Sequence, residues 1–186
     1  MSVREAIRPG GRSSRVQSAV HAAVLALGAD SAVGDLSIPL IAARAGVTPS
    51  TIYRRWGDLT ELLADVAVER LRPDADPADT GSFAGDLALW LEQYADEMSS
   101  GPGRALIRDV LASTDGERNA GRCCAYTASQ IGELVRRAEM RGECVPSADR
   151  IVDHVVAPVM YRILFGSEPI SPDYRRALIE GIAVTN

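Results

Sequence analysis

The stretch from Ser37 to Trp56, SIPLIAARAGVTPSTIYRRW, restricts what this chain can fold into more than any other. Its first half carries Ile38, Ile41, Ala42 and Ala45 at i, i+3, i+4 and i+7, one apolar stripe of helical period. Ser37 is a good N-cap for that helix, and Pro39 falls in its first turn, where a missing N–H costs little. Gly46, able to take the left-handed conformation, stops it. Thr48 can cap a second helix, with Pro49 just inside at a favoured position.

The second helix sorts its side chains by direction. At about 100° per residue, Ile52 and Trp56 point one way, and Ser50 and Arg54 the opposite way. Tyr53 lies on one flank, Thr51 and Arg55 on the other. One face is therefore an apolar anchor, while the other offers hydroxyls, a phenol and guanidinium groups. Two short helices about a tight turn, the second so divided, read as a helix-turn-helix fit for a DNA major groove. Spacing alone also admits a helical hairpin with a solvated outer face.

The wording AARAGVTPSTIYRRW resembles the helix-turn-helix of the TetR family of transcriptional repressors. The small residue before the turn, the Gly-Val turn and the Thr-Ile-Tyr-x-x-aromatic run carry the resemblance. It is specific over about residues 13–71 and architectural beyond. It implies operator contact by Pro49, Ser50, Thr51, Tyr53, Arg54 and Arg55. Ser37 and Thr48, at helix N-termini, are placed to hold phosphates. The chain departs from the family in two respects: Val33 and Leu36 must fill the space of an aromatic residue usual near the end of the preceding loop, and Leu59 stands where a phosphate-binding lysine is common.

Charge is distributed to match. Residues 1–57 hold seven arginines against three acids, a balance of +4; the remainder holds thirteen arginines against 22 acids, a balance of −9. A basic head on an acidic body fits a DNA-binding module joined to a domain that does not touch DNA. No apolar run reaches the ~18 residues of a membrane span, and the N-terminus lacks a secretory stretch, so a cytoplasmic protein is expected. Cys123, Cys124 and Cys144 form no disulfide framework and have no zinc-site spacing; they read as small buried hydrophobes, with thiol sensing the minority alternative.

Taken in order, residues 1–12 are expected to be a flexible arm, with Arg4, Arg8 and Arg12 able to reach phosphate. A first helix starts near Ser13 or Ser14, carries Val16, Ala19, Val20, Ala23, Val24 and Leu27, and ends at Gly28, with His21 on its polar side. Residues 13–57 then form a three-helix head. A connecting helix over 58–71 is capped by Asp58 with Glu61 three residues on. RPDADPADTGS, 72–82, reads as a linker.

The body, 72–186, reads as all helix. One helix near Phe83 to Met98 carries Leu87, Trp90, Leu91 and Tyr94. A Gly-Pro-Gly break at 101–103 precedes a short helix over Leu106 to Ala112. A long helix from about Glu117 to Arg141 turns Cys124, Ala128, Ile131, Val135 and Ala138 inward. Ser147 to Phe165 follows, with Pro158 removing the hydrogen bond to the His154 carbonyl, which predicts a kink or two helices meeting at Ala157. Ser171-Pro172 opens a last helix with Tyr174, Leu178 and Ile182.

The expected fold is all-α, about nine helices: a DNA-binding head and a helical domain for ligand binding and dimerisation. No catalytic constellation, metal cluster or cofactor motif stands out, so an enzyme is not expected. By the family resemblance, a homodimer through the last two helices, with Val155, Val159, Ile163, Leu178 and Ile182 as apolar positions, would bind a palindromic double-stranded operator. The resemblance also implies release by a small hydrophobic or aromatic effector, with Trp90, Tyr94, Tyr126 and His154 as candidate pocket residues. The alternatives are a thiol-sensing repressor using Cys123, Cys124 or Cys144, and a helical interaction protein without DNA binding.

Overall fold

The computed structural model describes residues 11–30 and 36–182, and every regular element among them is helical. The expected arm, with Arg4 and Arg8, and the loop residue Val33 lie outside the described residues; Arg12 is described in its backbone alone. The chain divides into two compact units between Val66 and Ala67.

The first unit holds α1 (Arg12–Asp30), α2 (Ile38–Ala45), α3 (Pro49–Trp56) and most of α4 (Leu59–Arg70). Its core is the predicted set: Val20, Ala23 and Val24 meet Ile38, Ile41, Ala42, Ile52 and Trp56, joined by Leu62 and Val66. Leu36 is buried. Gly46 ends α2 at φ 69°, and the Val47 amide donates to the Ala42 carbonyl at 3.0 Å. Gly57 ends α3 at φ 85°, a conformation that costs side-chain-bearing residues strain. Asp58 caps α4, accepting the Glu61 amide at 2.9 Å. Gly28 does not end α1, which runs on to Asp30. An interior glycine costs a helix about 1 kcal/mol against alanine but breaks no hydrogen bond; only a left-handed turn would have stopped it.

The second unit holds α5 (Phe83–Ser99), α6 (Gly101–Ala112), α7 (Gly116–Met140), α8 (Ala148–Ile151), a π-helical segment (Val152–Val156), α9 (Ala157–Phe165) and α10 (Pro172–Gly181). With α8, the π segment and α9 counted as one rod, nine helices stand among the described residues. Leu87, Leu91, Ile131, Leu134, Ile151, Val155 and Val159 fill its core. The Gly-Pro-Gly stretch is no break. Ser100 caps α6, accepting the Gly103 amide at 3.0 Å, and Pro102 sits in the first turn, so the helix begins at Gly101. A side chain at Gly103 would collide with the Glu97 carbonyl, so glycine is what lets α6 leave α5 so tightly.

Pro158 causes no abrupt stop. The Ala157 amide reaches back five residues to the Val152 carbonyl, and α9 begins at Ala157 with Pro158 in its first turn. The hydrogen bond proline cannot make is absorbed by one wide turn.

Residues 72–82 carry little regular structure, yet they are tied down. Arg137 donates to the Pro77 carbonyl at 2.7 Å, and Gln130 to that of Ala75 at 3.1 Å. Asp86, buried at the start of α5, accepts the Thr80 amide and hydroxyl, each at 2.6 Å, and Arg141 at 3.0 Å. Burial works to raise the Asp86 carboxyl, but these hydrogen bonds outweigh it and hold it below its ordinary value.

Candidate nucleic-acid interface and ligand cavity

In α3 the division by direction is realised. Ile52 and Trp56 are buried, whereas Ser50, Tyr53, Arg54 and Arg55 are exposed, with Tyr53 at 50%. Thr51 is half-buried and Pro49 exposed. Ser37 and Thr48 hold extended backbone at the N-caps of α2 and α3, but neither side chain caps a backbone amide. The Thr48 hydroxyl instead lies 3.0 Å from both the Ser50 and Thr51 hydroxyls. Three hydroxyls therefore cluster at the start of α3, where the Thr51 amide donates to the Thr48 carbonyl at 3.0 Å.

The two arginines differ. Arg54 makes no ion pair or hydrogen bond with any described residue. Arg55 donates to the Ser13 carbonyl at 3.0 Å, to the Ser13 hydroxyl at 2.8 Å and to Gln17 Oε1, and its guanidinium lies 5.1 Å from the Trp56 ring.

Behind this face stands a polar hub that the sequence reading missed. Asp65 Oδ2 accepts Trp56 Nε1–H at 3.0 Å and Gln17 Nε2–H at 3.1 Å, and lies 3.0 Å from His21 Nε2. His21 is buried, not on a solvated side. An ionised carboxylate only accepts, so the proton of the His21 contact sits on Nε2. Ser13, Gln17 and His21 recur every four residues on α1, a polar stripe visible in the sequence; their partners are distant in the chain and could not be read from it.

The body contains a cavity of about 540 Å³, entirely within the second unit. Leu71, Met98, Ile107, Val110, Val156 and Met160 line it, with Tyr94, Cys123, Cys124, Thr127, Asp149 and Asp153 as its polar or ionisable wall. A second cavity of about 510 Å³, roofed by residues 72–78, shares Leu71, Tyr94, Met98 and Thr127 with the first. Tyr94 thus borders both. Its hydroxyl is hydrogen-bonded to Thr127, and burial pushes its pKa up to about 12. Trp90 stacks on Tyr94 with ring centroids 4.9 Å apart and lines only the second cavity, as does Tyr126 among these two. His154 is exposed and lines neither.

The cysteines are not buried packing residues. Cys124 and Cys144 are exposed and Cys123 is half-buried. Cys124 and Ala128, expected inward, are exposed where α7 turns its side to the first cavity. Burial, aided by neighbouring Cys124, raises the Cys123 thiol above its ordinary value. Among the described residues no group of His, Cys, Asp and Glu could hold a metal, and no helix is long and apolar enough to cross a membrane.

Comparison with known proteins places this geometry in a family. Residues 23–66 match the family described as bacterial regulatory proteins, tetR family, and residues 77–182 match the tetracyclin repressor-like C-terminal domain. The chain is 29% identical over 143 residues to the HTH-type transcriptional regulator AqdR of Rhodococcus erythropolis, covering 74% of this chain and 68% of that one. It is 26% identical over 156 residues to an uncharacterized HTH-type transcriptional regulator of Mycobacterium tuberculosis, covering 79% and 75%. A TetR regulator structure from Rhodococcus sp. RHA1 shares the fold at a TM-score of 0.60 and 14% identity, covering 94% of this chain and 98% of that one. The hydroxyl-rich and arginine-bearing face of α3 is thus the exposed side of a known kind of DNA-reading head, and the chain belongs to the TetR family of bacterial transcriptional regulators.

Proposed function

We propose that this protein is a repressor that reads a near-palindromic operator through α3 and leaves it when a small apolar molecule occupies the body. One observation carries the DNA half: Arg54 and Tyr53 stand exposed on a helix anchored by buried Ile52 and Trp56, and no described residue competes for Arg54. Arg54 reads base edges, with Tyr53, Ser50 and Thr51 beside it. Arg55, held by Ser13 and Gln17, sets the angle of α3 and faces the backbone. Ser37, Thr48 and Pro49 sit where helix N-termini meet phosphate. One head reads few base pairs, so a twofold dimer through the rod and α10 supplies the second half-site. Val155, Val159, Ile163 and Ile182 are core residues of one subunit. Tyr161, Leu164 and Phe165 are the large apolar side chains that α9 leaves exposed, and they take the interface role expected of that stripe.

The effector half is supported by the size and lining of the body's cavity. Binding there favours release only if the effector prefers the arrangement that cannot hold DNA; equal affinity shifts nothing. Thiol sensing through Cys123 draws no comparable support, because burial raises its thiol above the ordinary value and disfavours the thiolate form that reacts. The test begins with selecting bound sequences from random duplex DNA. Arg54→Ala should then cost about 1–3 kcal/mol of discrimination at one base position, and Tyr53→Ala a measurable part of affinity, at fixed salt. Wild-type binding by both variants, with unchanged circular dichroism, would mean another surface holds DNA.

A further inference from the structure

We propose that the first cavity selects molecules carrying a positive charge on an apolar body, an amine-bearing aromatic or aliphatic compound, with Asp149 and Asp153 as the counter-charge. This rests on the effector reading above and narrows it to a ligand class.

The wall leaves little choice of sign. Tyr94 stays a neutral phenol, its pKa pushed up to about 12 by burial. Cys123 is likewise held in its neutral form. Among the described residues no arginine or histidine lines the cavity, in a chain with twenty arginines. Asp149 and Asp153 are its carboxylates. They lie four residues apart, at the start of the rod and inside its π segment, on one side of it. Three of the five π residues, Val152, Asp153 and Val156, face the cavity, and wide turns of this kind recur at functional sites.

Neither carboxylate has an ion-pair or hydrogen-bond partner among the described residues. Elsewhere in this unit arginine covers carboxylates closely: Arg137 on Glu133 at 2.7 Å, Arg141 on Asp86 at 3.0 Å, Arg175 on Glu92 at 3.0 Å. Like charges one turn apart on a helix disfavour each other, and a cation seated at the cavity mouth removes that cost. Both aspartates are exposed to water, so the preference they confer is modest, about tenfold.

The experiment uses the full chain and a matched set: 2-naphthylmethylamine, 2-naphthylmethanol and 2-naphthoate, titrated calorimetrically at pH 7. The amine should bind about tenfold more tightly than the carboxylate, and the gap should shrink as salt is raised. In D149N/D153N the gap should close while the alcohol binds within twofold of wild type. D153N alone, which leaves the first turn of α8 untouched, should close about half of it on a logarithmic scale. Equal or tighter binding of the carboxylate, or an amine preference that survives D149N/D153N, overturns the proposal. Amine binding that leaves operator affinity unchanged supports the selectivity and overturns the effector reading instead. Binding of none of the three overturns both.

Discussion

Asp65→Ala should loosen the DNA-reading head more than any surface change of similar size. In the native head the Asp65 carboxylate accepts the Trp56 indole at 3.0 Å and the Gln17 amide at 3.1 Å, with His21 at 3.0 Å. Trp56 and His21 are each only 9% exposed, so water replaces the lost acceptor poorly. Leaving one buried donor unpaired costs about 1–3 kcal/mol, and hydrogen bonds to a charged acceptor lie toward the upper end. Gln17 is half-buried and rehydrates at less cost. The expected loss is therefore about 2–4 kcal/mol. Asp65→Asn, which keeps one acceptor oxygen and the shape, should lose about half as much. Urea unfolding followed by circular dichroism measures the loss, and exchange of the Trp56 indole proton, seen by NMR, localises it to the head. Operator affinity should fall with it, because Trp56 anchors α3 and Gln17 holds Arg55. If Asp65→Ala unfolds within 0.5 kcal/mol of wild type, or its Trp56 indole proton exchanges no faster, the hub does not hold the head together, and the reasoning fails.

Three further outcomes follow from the second unit. Gly103→Ala drives a methyl group into the Glu97 carbonyl and should destabilise by about 1–3 kcal/mol in a melting or denaturant assay, although alanine is the better helix former. Asp86 is held below its ordinary pKa in the folded state, so the stability it contributes is present above about pH 4 and is lost as pH falls through the folded value; the gap between wild type and Asp86→Asn should accordingly narrow in urea titrations run at progressively lower pH. Phe165, 75% exposed with its ring centroid 5.2 Å from that of Tyr161, should tolerate replacement by Glu in one subunit's stability, whereas sedimentation equilibrium should show a weakened dimer.

Where signals were local, the sequence reported the fold well. The turn at Gly46, the Ser147 and Ser171 caps and the Asp58 cap each depend on residues within a few positions, and short-range chemistry decides them. Glycine proved legible only where a left-handed φ was needed. Gly46 and Gly57 stop helices, whereas Gly28 is carried through one and Gly103 is demanded by a neighbouring carbonyl that no pattern announces. The pairing of polar residues was not legible at all. Ser13, Gln17 and His21 look like a solvated stripe until Asp65 and Arg55 are brought to them from elsewhere in the chain.

The candidate cavity shows the same limit in sharper form. Tyr94, the flank of α7 and the rod border the cavity, but of the four residues expected to line a pocket only Tyr94 lines this one. The rod explains why. A strict α-helical count from Ile151 assigns one apolar side through Val155 and Val159, and those residues do fill the core. The turn that Pro158 imposes is one residue wider, so Val152, Asp153 and Val156 come to border the cavity while His154 is left outside. A proline that removes one hydrogen bond is thus accompanied by a change in which side chains border the cavity. Replacing Pro158 by Ala restores the missing donor and lets the rod rewind to ordinary α-helical hydrogen bonding. That variant should keep or gain stability, yet shift ligand affinity. An unchanged affinity for every member of the naphthalene set would show that the wide turn is a packing accommodation and not a determinant of the site.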